Sequence, residues 1–254
     1  MRKMYKISKR IFDVIASLFG LLLFSPLLIF VTLLIYIQDF KSPFYISSRV
    51  GKDEKYFKII KLRSMVINAD KKGIDSTASN DERITRIGHF IRSYKLDELS
   101  QLWNVIKGDM SLVGPRPNVK RETDIYTFKE KELLTVKPGI TDFASIVFAD
   151  EGEILAGVPN PDISYNQLIR PGKSELGLFY ILNQSFLLDL LILFLTVISI
   201  FSRGISLIIT ASILKKLGAK IELVELASRK KPLSPMPPPG ATKIVTTREV
   251  RNNL

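Results

Sequence analysis

The chain has 254 residues, 46% of them hydrophobic, and a formal net charge of +12 at pH 7. The absence of cysteine excludes disulfides, a cysteine nucleophile and thiolate zinc sites, and the single histidine, His89, excludes a histidine-rich metal centre. Acid–base or metal chemistry must therefore depend mainly on carboxylates, and the positive charge favours an anionic partner such as nucleic acid, acidic lipid headgroups or phosphorylated small molecules.

The first 38 residues combine a basic start with a long apolar stretch. Residues 1–10 carry five positive charges and no negative charge, and residues 11–37 are apolar apart from Asp13 and small polar residues. This stretch is long enough to cross a bilayer core of about 30 Å as a helix. A cleaved signal peptide is not expected, because the apolar run is too long and no small-residue cleavage site follows it.

Two topologies compete for this segment. A straight spanning anchor is the commoner arrangement, but a basic N-terminus stays in the cytoplasm and would then send everything after residue 38 to the outside. Against it, Pro26 removes a helix hydrogen bond, and the Ser25 hydroxyl can satisfy the freed carbonyl. A helix broken at Ser25–Pro26 that enters the inner leaflet and returns would keep both ends inside. The choice depends on what the rest of the chain does.

Residues 39–184 are predicted to form a globular α/β domain, rich in helices and with a small sheet. Two short strands are expected over residues 43–50 and 56–60, because β-branched and aromatic residues alternate there. Gly51-Lys52-Asp53-Glu54 provides the turn between these strands.

The rest of this domain is expected to alternate between loops and short helices. A polar loop is predicted over residues 66–88, and helical spacing of apolar residues predicts two short helices within 89–107. Lys107-Gly108 is a plausible helix end. Another helix is expected over 122–134, and residues 151–175, rich in Gly, Pro, Asn and Asp, are expected to form a long loop of the kind found near functional sites.

Two further segments complete the chain. Residues 185–214 are apolar, but Asp189 and Arg203 limit the uninterrupted apolar run to twelve residues, which favours a pair of interfacial amphipathic helices over a second crossing. Residues 215–254 contain nine Lys or Arg, three acids and the run PLSPMPPPG, and are predicted to form a short helix followed by a flexible basic tail.

Asp97 and Glu98 are adjacent acids in front of an apolar periodic segment. Neighbouring residues on a helix point about 100° apart, so the two side chains can flank one ion or phosphate. The structural alternative is strong, since acids in a first helical turn commonly serve as capping residues. From these two residues alone, capping is the better supported interpretation.

Basic residues around the acids favour chemistry. Arg92 precedes them by five residues, Lys61 and Arg63 lie on the strand-like stretch, and Arg116 stands between two prolines that stiffen its backbone. Guanidinium groups suit bidentate recognition of phosphate. Two acids with several Arg residues therefore indicate a site for a polyphosphate and a divalent metal. Arg83 and Arg86 lie in the predicted loop before Arg92. For these two residues, pairing with acids elsewhere is as good an interpretation as a role in phosphate binding.

The sequence resembles a known family, the bacterial sugar transferases. These are monotopic phosphoglycosyl transferases, which start glycan assembly on a polyprenyl phosphate. The resemblance runs from about Lys9 to Phe201. It is carried by the Ser-Pro in the apolar helix, KIIKLRSM, TASNDERITRIG, SYKLDELSQLWNVIKGDMSLVGPRP, KPGIT and SFLLDLLILFLT. The string around Asp97 is the most specific of these motifs.

The resemblance implies a reaction. The family transfers a sugar-1-phosphate from a nucleotide sugar, usually a UDP-sugar, to a polyprenyl phosphate such as undecaprenyl phosphate, and it releases UMP. It requires Mg²⁺ and works through a covalent phosphosugar–enzyme intermediate. The reaction is the first membrane step in the assembly of a polysaccharide, O-antigen or glycoprotein glycan.

The resemblance also implies roles for individual residues. Asp97 matches the nucleophile and Glu98 the magnesium ligand of the catalytic pair. Three basic positions, expected to contact substrate phosphate, match Arg63, Arg92 and Arg116. The helix breaker matches Ser25-Pro26.

It further implies a location and partners. The fold expected is a re-entrant membrane helix over residues 1–38, a cytoplasmic catalytic domain over 39–184 and membrane-associated helices over 185–214, at the bacterial inner membrane. The expected partners are a UDP-sugar, polyprenyl phosphate and membrane lipids, without nucleic acid, and a homo-oligomer is allowed.

Some features lie outside the resemblance. After KPGIT the family often has Gly-Trp-Ala-Gln-Val and an Asn/Gly-Arg-rich turn, whereas this chain has Asp142-Phe143-Ala144-Ser145-Ile146 and VFADEGEILAGVPNPD. The identity of the sugar therefore stays open. A membrane-anchored protein that binds anionic lipid or nucleic acid without catalysis is the alternative function, and an inactive scaffold is a third.

Overall fold

The structure is a computed structural model that describes residues 2–69 and 76–247. Residues 70–75 of the predicted polar loop and residues 248–254 of the predicted tail lie outside this range. The described parts combine many helices with two small two-stranded sheets, as the predicted helix-rich α/β class requires.

The first element, helix α1, spans Arg2–Asp39. It is the only helix within the described ranges that is long and apolar enough to cross a membrane. It stays helical through Pro26, and the Ser25 hydroxyl donates to the Leu22 carbonyl at 2.8 Å. The Ser-Pro pair thus does not separate two helices, and the re-entrant topology stays a prediction.

An antiparallel hairpin follows, as the sequence predicts. Strands β1 (Phe44–Val50) and β2 (Tyr56–Leu62) pair from Phe44 opposite Leu62 to Val50 opposite Tyr56. The tight connection uses left-handed backbone at Asp53 and Glu54. The second strand extends two residues further than predicted and brings Lys61 and Leu62 into the sheet.

Short elements connect the hairpin to a second sheet. Helix α2 spans Arg86–Ser93, a 3-10 helix covers Leu96–Gln101, and helix α3 covers Leu102–Lys107. Helix α3 ends at Gly108, whose φ of 93° favours glycine, so the predicted helix end is confirmed. Strands β3 (Ser111–Val113) and β4 (Gly139–Thr141) then pair in parallel.

Two predictions of secondary structure are wrong. The helix expected over 122–134 is divided into α4 (Lys120–Thr123) and a 3-10 helix (Glu130–Thr135), because Thr127 turns the chain by accepting from the Glu130 amide. Much of the expected 151–175 loop is helical.

The remaining helices are α5 (Phe143–Val147), α6 (Glu151–Ile154), α7 (Pro161–Ser164), α8 (Arg170–Leu182), α9 (Phe186–Phe201), α10 (Arg203–Lys216) and α11 (Ile221–Ser228), with a π-helical turn at Tyr165–Ile169. Helix α7 explains the wrong loop prediction. Asn160 caps it by accepting from the Ile163 amide, and Pro161 occupies its first turn, so a polar, proline-containing stretch serves as a helix start.

One hydrophobic core joins the middle and the C-terminal part of the chain. It runs from Ile59 to Ala227 and includes residues of α9 and α10. Asp189, in α9, accepts from Tyr180, Tyr5 and Lys9, which ties α9 to the start of α1. The predicted short helix after residue 215 is α11.

The segment after α11 contacts the domain. The Met236 amide donates to the Gln167 carbonyl, and the Gln167 side chain donates to the Val245 carbonyl. Pro238 and Pro239 are buried. The flexibility of the tail stays a prediction.

Candidate active site

The adjacent acids lie in the first turn of the Leu96–Gln101 helix. Lys95 precedes this helix with left-handed backbone, φ 53°, and its side chain does not cap it. Burial lowers the pKa of Lys95. Leu96 is buried in one cluster with Val31 and Ile35 of α1, so the start of the helix is held to that long apolar helix.

Side-chain hydrogen bonds fix the same helix to strand β2. Ser100 Oγ donates to the Ile60 carbonyl at 3.0 Å. Asn104, fully buried in α3, accepts from the Ile60 amide at 3.0 Å and donates to the Lys58 carbonyl at 2.7 Å. These hydrogen bonds therefore hold the two acids beside Lys61, the residue after Ile60.

Arg116 is positioned by the close approach of two glycines. A Cβ on Gly139 would lie 2.1 Å from the Gly114 amide nitrogen, so only glycine fits there. The Gly139 amide donates to the Pro115 carbonyl at 3.0 Å. The SLVGPRP and KPGIT motifs thus meet backbone to backbone, and this contact fixes the chain immediately before Arg116.

These elements bring acids and cations into contact. Arg116 Nη1 donates to Glu98 Oε1 at 2.7 Å, and Lys61 Nζ lies 3.3 Å from Asp97 Oδ2 and 3.5 Å from Glu98 Oε1. Within the described ranges, both carboxylates pair with cations, and they also lie in the first helical turn, where the capping interpretation puts them.

The charges favour an ionised Glu98. Burial alone would raise the pKa of this carboxyl, but the cations Arg116, Lys61 and Lys95 outweigh it and lower the pKa to about 2. In turn, Glu98 raises the pKa of the Arg116 guanidinium. The site therefore holds fixed charges of both signs at neutral pH.

A cavity of about 1030 Å³ opens above these side chains. Asp97, Glu98, Lys61 and Arg116 line it, together with Arg92 at the end of α2. The volume is enough for a ligand of the size of a nucleotide sugar. The structure thus brings these five residues, all of them singled out in the sequence, to one concave surface.

Arg63 lines the same cavity but has partners of its own. Its Nη1 and Nη2 donate to the Asp39 carboxylate at 2.5 and 2.6 Å. Arg83 is likewise paired, through Asp81 at 2.7 Å. Arg63 therefore ties the end of α1 to the end of β2, and its contact with phosphate stays a prediction.

Sequence reasoning missed two charged residues of the cavity, Lys173 and Glu151. The Lys173 ammonium pairs with the Glu151 carboxylate and lies 5.3 Å from the centre of the Tyr165 ring. Both charged residues line the cavity. They fall in the stretch predicted as a loop. The signal that could have found them is the Asn160-Pro161 helix start, which predicts ordered helices there.

The chain is similar to known proteins over most of its length. A profile of the family described as bacterial sugar transferase matches residues 4–203. An N-acetylgalactosaminephosphotransferase from Aeromonas hydrophila, named for UDP-N-acetylgalactosamine and undecaprenyl phosphate, is 35% identical over 205 residues. That alignment covers 76% of this chain and 43% of the relative.

Two other relatives are similar. A UDP-galactose-lipid carrier transferase from Erwinia amylovora is 40% identical over 148 residues, covering 52% of this chain and 31% of the relative. The uncharacterized sugar transferase EpsL from Bacillus subtilis is 37% identical over 191 residues, covering 75% of this chain and 86% of the relative. The chain thus spans less than half the length of the Aeromonas and Erwinia proteins and most of the length of EpsL.

Proposed function

This chain belongs to the bacterial sugar transferase family, and from that premise we propose that it is a sugar-1-phosphate transferase acting at a membrane. It takes the sugar-1-phosphate from a UDP-sugar and places it on undecaprenyl phosphate, in the first membrane step of glycan assembly. The names of the relatives support this choice of donor and acceptor.

One observation carries the proposal. Asp97 and Glu98 face Arg116 and Lys61 inside a cavity that fits a nucleotide sugar. A diphosphate repels a carboxylate, so a carboxylate can approach its phosphorus only where fixed cations offset that repulsion. The cations here are within 3.5 Å of the two acids.

The acids also suit a magnesium ion. Mg²⁺ is usually held by one or two carboxylates and the phosphates of the substrate, so two adjacent acids are sufficient. Within the described ranges there is no cluster of three or more acidic or histidine side chains, as an all-protein site would need. Glu98 would be the ligand, as the resemblance to the family implies, and its carboxyl is ionised at neutral pH. When bound, Mg²⁺ would neutralise charge on the diphosphate.

The proposed chemistry has two displacements at one phosphorus atom. An Asp97 carboxylate oxygen attacks the phosphorus that bears the sugar, and the bond from that phosphorus to the bridging oxygen breaks, releasing UMP. An oxygen of undecaprenyl phosphate then attacks the same phosphorus. The bond to Asp97 breaks, which restores the carboxylate and leaves undecaprenyl-diphosphate-sugar. Arg116 and Lys61 stabilise the charge that moves between oxygens.

The attachment of α1 supports the re-entrant topology. Near its start, Asp13 accepts from the Ser111 hydroxyl at 2.7 Å, and at its end Asp39 pairs with Arg63. A straight helix places these positions about 39 Å apart, more than the roughly 30 Å of a bilayer core. A straight crossing would put the two halves of one domain on opposite sides. Because a basic N-terminus stays in the cytoplasm, we propose that the catalytic domain lies on the cytoplasmic face of the inner membrane.

The proposal is tested by turnover. The full chain in detergent or nanodiscs is incubated with a panel of UDP-sugars, Mg²⁺ and undecaprenyl phosphate, and UMP is measured. At least one donor should give UMP that depends on the acceptor and is lost in Asp97→Asn. If no donor gives more UMP than that variant, the proposal is wrong.

A further inference from the structure

Two arginines converge on one acid at the edge of the apolar surface. Arg203 Nη2 lies 2.8 Å from Asp150 Oδ2, and Arg229 Nη2 lies 2.9 Å from the same oxygen. Two positive charges therefore face a single negative one, and the cluster keeps an excess of positive charge. Burial, together with the charge of Arg203, lowers the pKa of the Arg229 guanidinium.

The cluster also has hydrogen-bonding capacity to spare. Arg203 Nε and Arg229 Nη1 are buried and have no hydrogen-bond partner within the described ranges, and neither has Asp150 Oδ1, so two donors stand against one acceptor. A buried charged donor without an acceptor costs free energy, so the cluster gains from an additional anion. The Arg203 side chain is 37% exposed, so a ligand can reach it from outside.

Its position indicates which anion. Helix α9 exposes a row of large apolar side chains along its whole length, and the row continues into α10. Its members are Leu187, Leu190, Leu191, Phe194, Val197, Phe201, Ile205 and Ile208. Such a row is an apolar face suited to a bilayer. Arg203 interrupts the row at the corner between the two helices, where a side chain next to buried acyl chains meets the lipid headgroups.

From these observations, we propose that Arg203 and Arg229 form a binding site for the headgroup phosphate of a membrane phospholipid. A phosphate oxygen replaces Asp150 as a partner of Arg203, and a second oxygen can accept from the same planar guanidinium. The proposal rests on the membrane association of α9 but needs no turnover.

The site is linked to the catalytic cavity. Asp150 and Phe148 line that cavity, and the Arg229 guanidinium lies 5.4 Å from the centre of the Phe148 ring. A lipid phosphate at Arg203 therefore lies behind the cavity wall that carries Asp150 and Glu151.

The test measures lipid binding to the full chain in a neutral detergent by calorimetric titration. The probes are a short-chain phosphatidylglycerol, the diacylglycerol with the same acyl chains, and inorganic phosphate. Arg203→Gln and Arg229→Gln should each weaken phosphatidylglycerol binding about tenfold, and Arg203→Lys should weaken it less. Lys120→Gln is the charge-matched control, because Lys120 pairs with Asp124 on an exposed surface, and it should bind like the unaltered chain.

Several results would overturn the proposal. One is that Arg203→Gln and Arg229→Gln bind phosphatidylglycerol as tightly as the unaltered chain does, while circular dichroism shows that both variants are folded. A second is diacylglycerol binding as tight as phospholipid binding, which would make the contact purely apolar. A third is inorganic phosphate binding as tight as the lipid, which would make the source a free anion. None of these outcomes depends on UMP release, so this proposal and the transferase proposal can fail separately.

Discussion

Arg116 Nη1 donates to Glu98 Oε1 at 2.7 Å, and this hydrogen bond connects the two ends of the motif that contains Asp97. Glu98 belongs to the 3-10 helix held on β2, and Arg116 follows the close contact between Gly114 and Gly139. A diphosphate entering the cavity competes with Glu98 for Arg116. In the proposed reaction, substrate binding would thus free the carboxylate that is proposed to hold the metal.

Replacing Arg116 tests this exchange. Arg116→Lys keeps a positive charge but loses the planar pair of donors, so kcat/KM for UMP release should fall at least about tenfold. The measurement is steady-state UMP release at several UDP-sugar concentrations. Lys120→Gln, on an exposed surface, should keep the activity. An Arg116→Lys enzyme with unchanged kcat/KM would remove Arg116 from the phosphate site.

Lys173 and Glu151 should affect the donor in opposite directions. Lys173→Gln removes a cation from the cavity wall and should raise KM for the UDP-sugar about tenfold. Glu151→Gln removes the anion paired with Lys173 and should lower that KM or leave it unchanged. The comparison uses initial rates at saturating acceptor. If both substitutions raise KM equally, the pair is structural and does not face the diphosphate.

Glu98 should make a distinct contribution to the pH dependence of stability. Its pKa falls from 4.5 to about 2 on folding, so the unfolded chain binds more protons between these values. The stabilisation is complete above about pH 4.5 and is lost as the pH falls towards 2. Thermal melting from pH 3 to pH 6 should show a steeper loss of stability for the unaltered chain than for Glu98→Gln. Parallel curves would contradict this assignment.

Asn104 should be essential for the position of the acids. Asn104→Ala leaves the Ile60 amide and the Lys58 carbonyl without their buried partner, and should lower the free energy of unfolding by roughly 2–4 kcal/mol. Urea unfolding of the detergent-solubilised chain measures this loss. Asn80→Ala, at an exposed position, is the control and should change it little. An Asn104→Ala chain as stable as that control would show that these hydrogen bonds contribute little.

Topology can be tested by labelling, since the chain has no natural cysteine. Cysteines replace the exposed residues Met4 and Lys55, one on each side of the apolar stretch, and Leu22 within it. The re-entrant account predicts that a membrane-impermeant maleimide labels the first two from the cytoplasmic side only and leaves residue 22 unlabelled. Labelling of positions 4 and 55 from opposite sides would establish a straight crossing.

Local sequence signals predicted the parts of the fold that depend on neighbouring residues. The β1–β2 hairpin follows from alternating apolar residues around a glycine-containing turn, and the end of α3 follows from Gly108. The division of residues 122–134 was not predictable in this way. It depends on Thr127, whose hydroxyl both accepts from the Glu130 amide and donates to the Pro239 carbonyl far along the chain.

The candidate site shows the same limit. The motif around Asp97 and the prolines around Arg116 indicated phosphate chemistry. The pairing of Arg116 with Glu98, however, depends on a contact between Gly114 and Gly139, which are 25 residues apart in the sequence. Likewise, the Asn160-Pro161 helix start indicates helices in this stretch, but Lys173 reaches the cavity only because α8 packs against the core.

The most direct test of the central claim is the mass of the intact protein after reaction with a UDP-sugar and Mg²⁺ in the absence of acceptor. The account predicts an added mass of one sugar phosphate, located by peptide mapping on Asp97 and discharged by undecaprenyl phosphate. Asp97→Asn should show no such addition. UMP release that depends on the acceptor, with no adduct at any time point, would contradict a covalent role for Asp97.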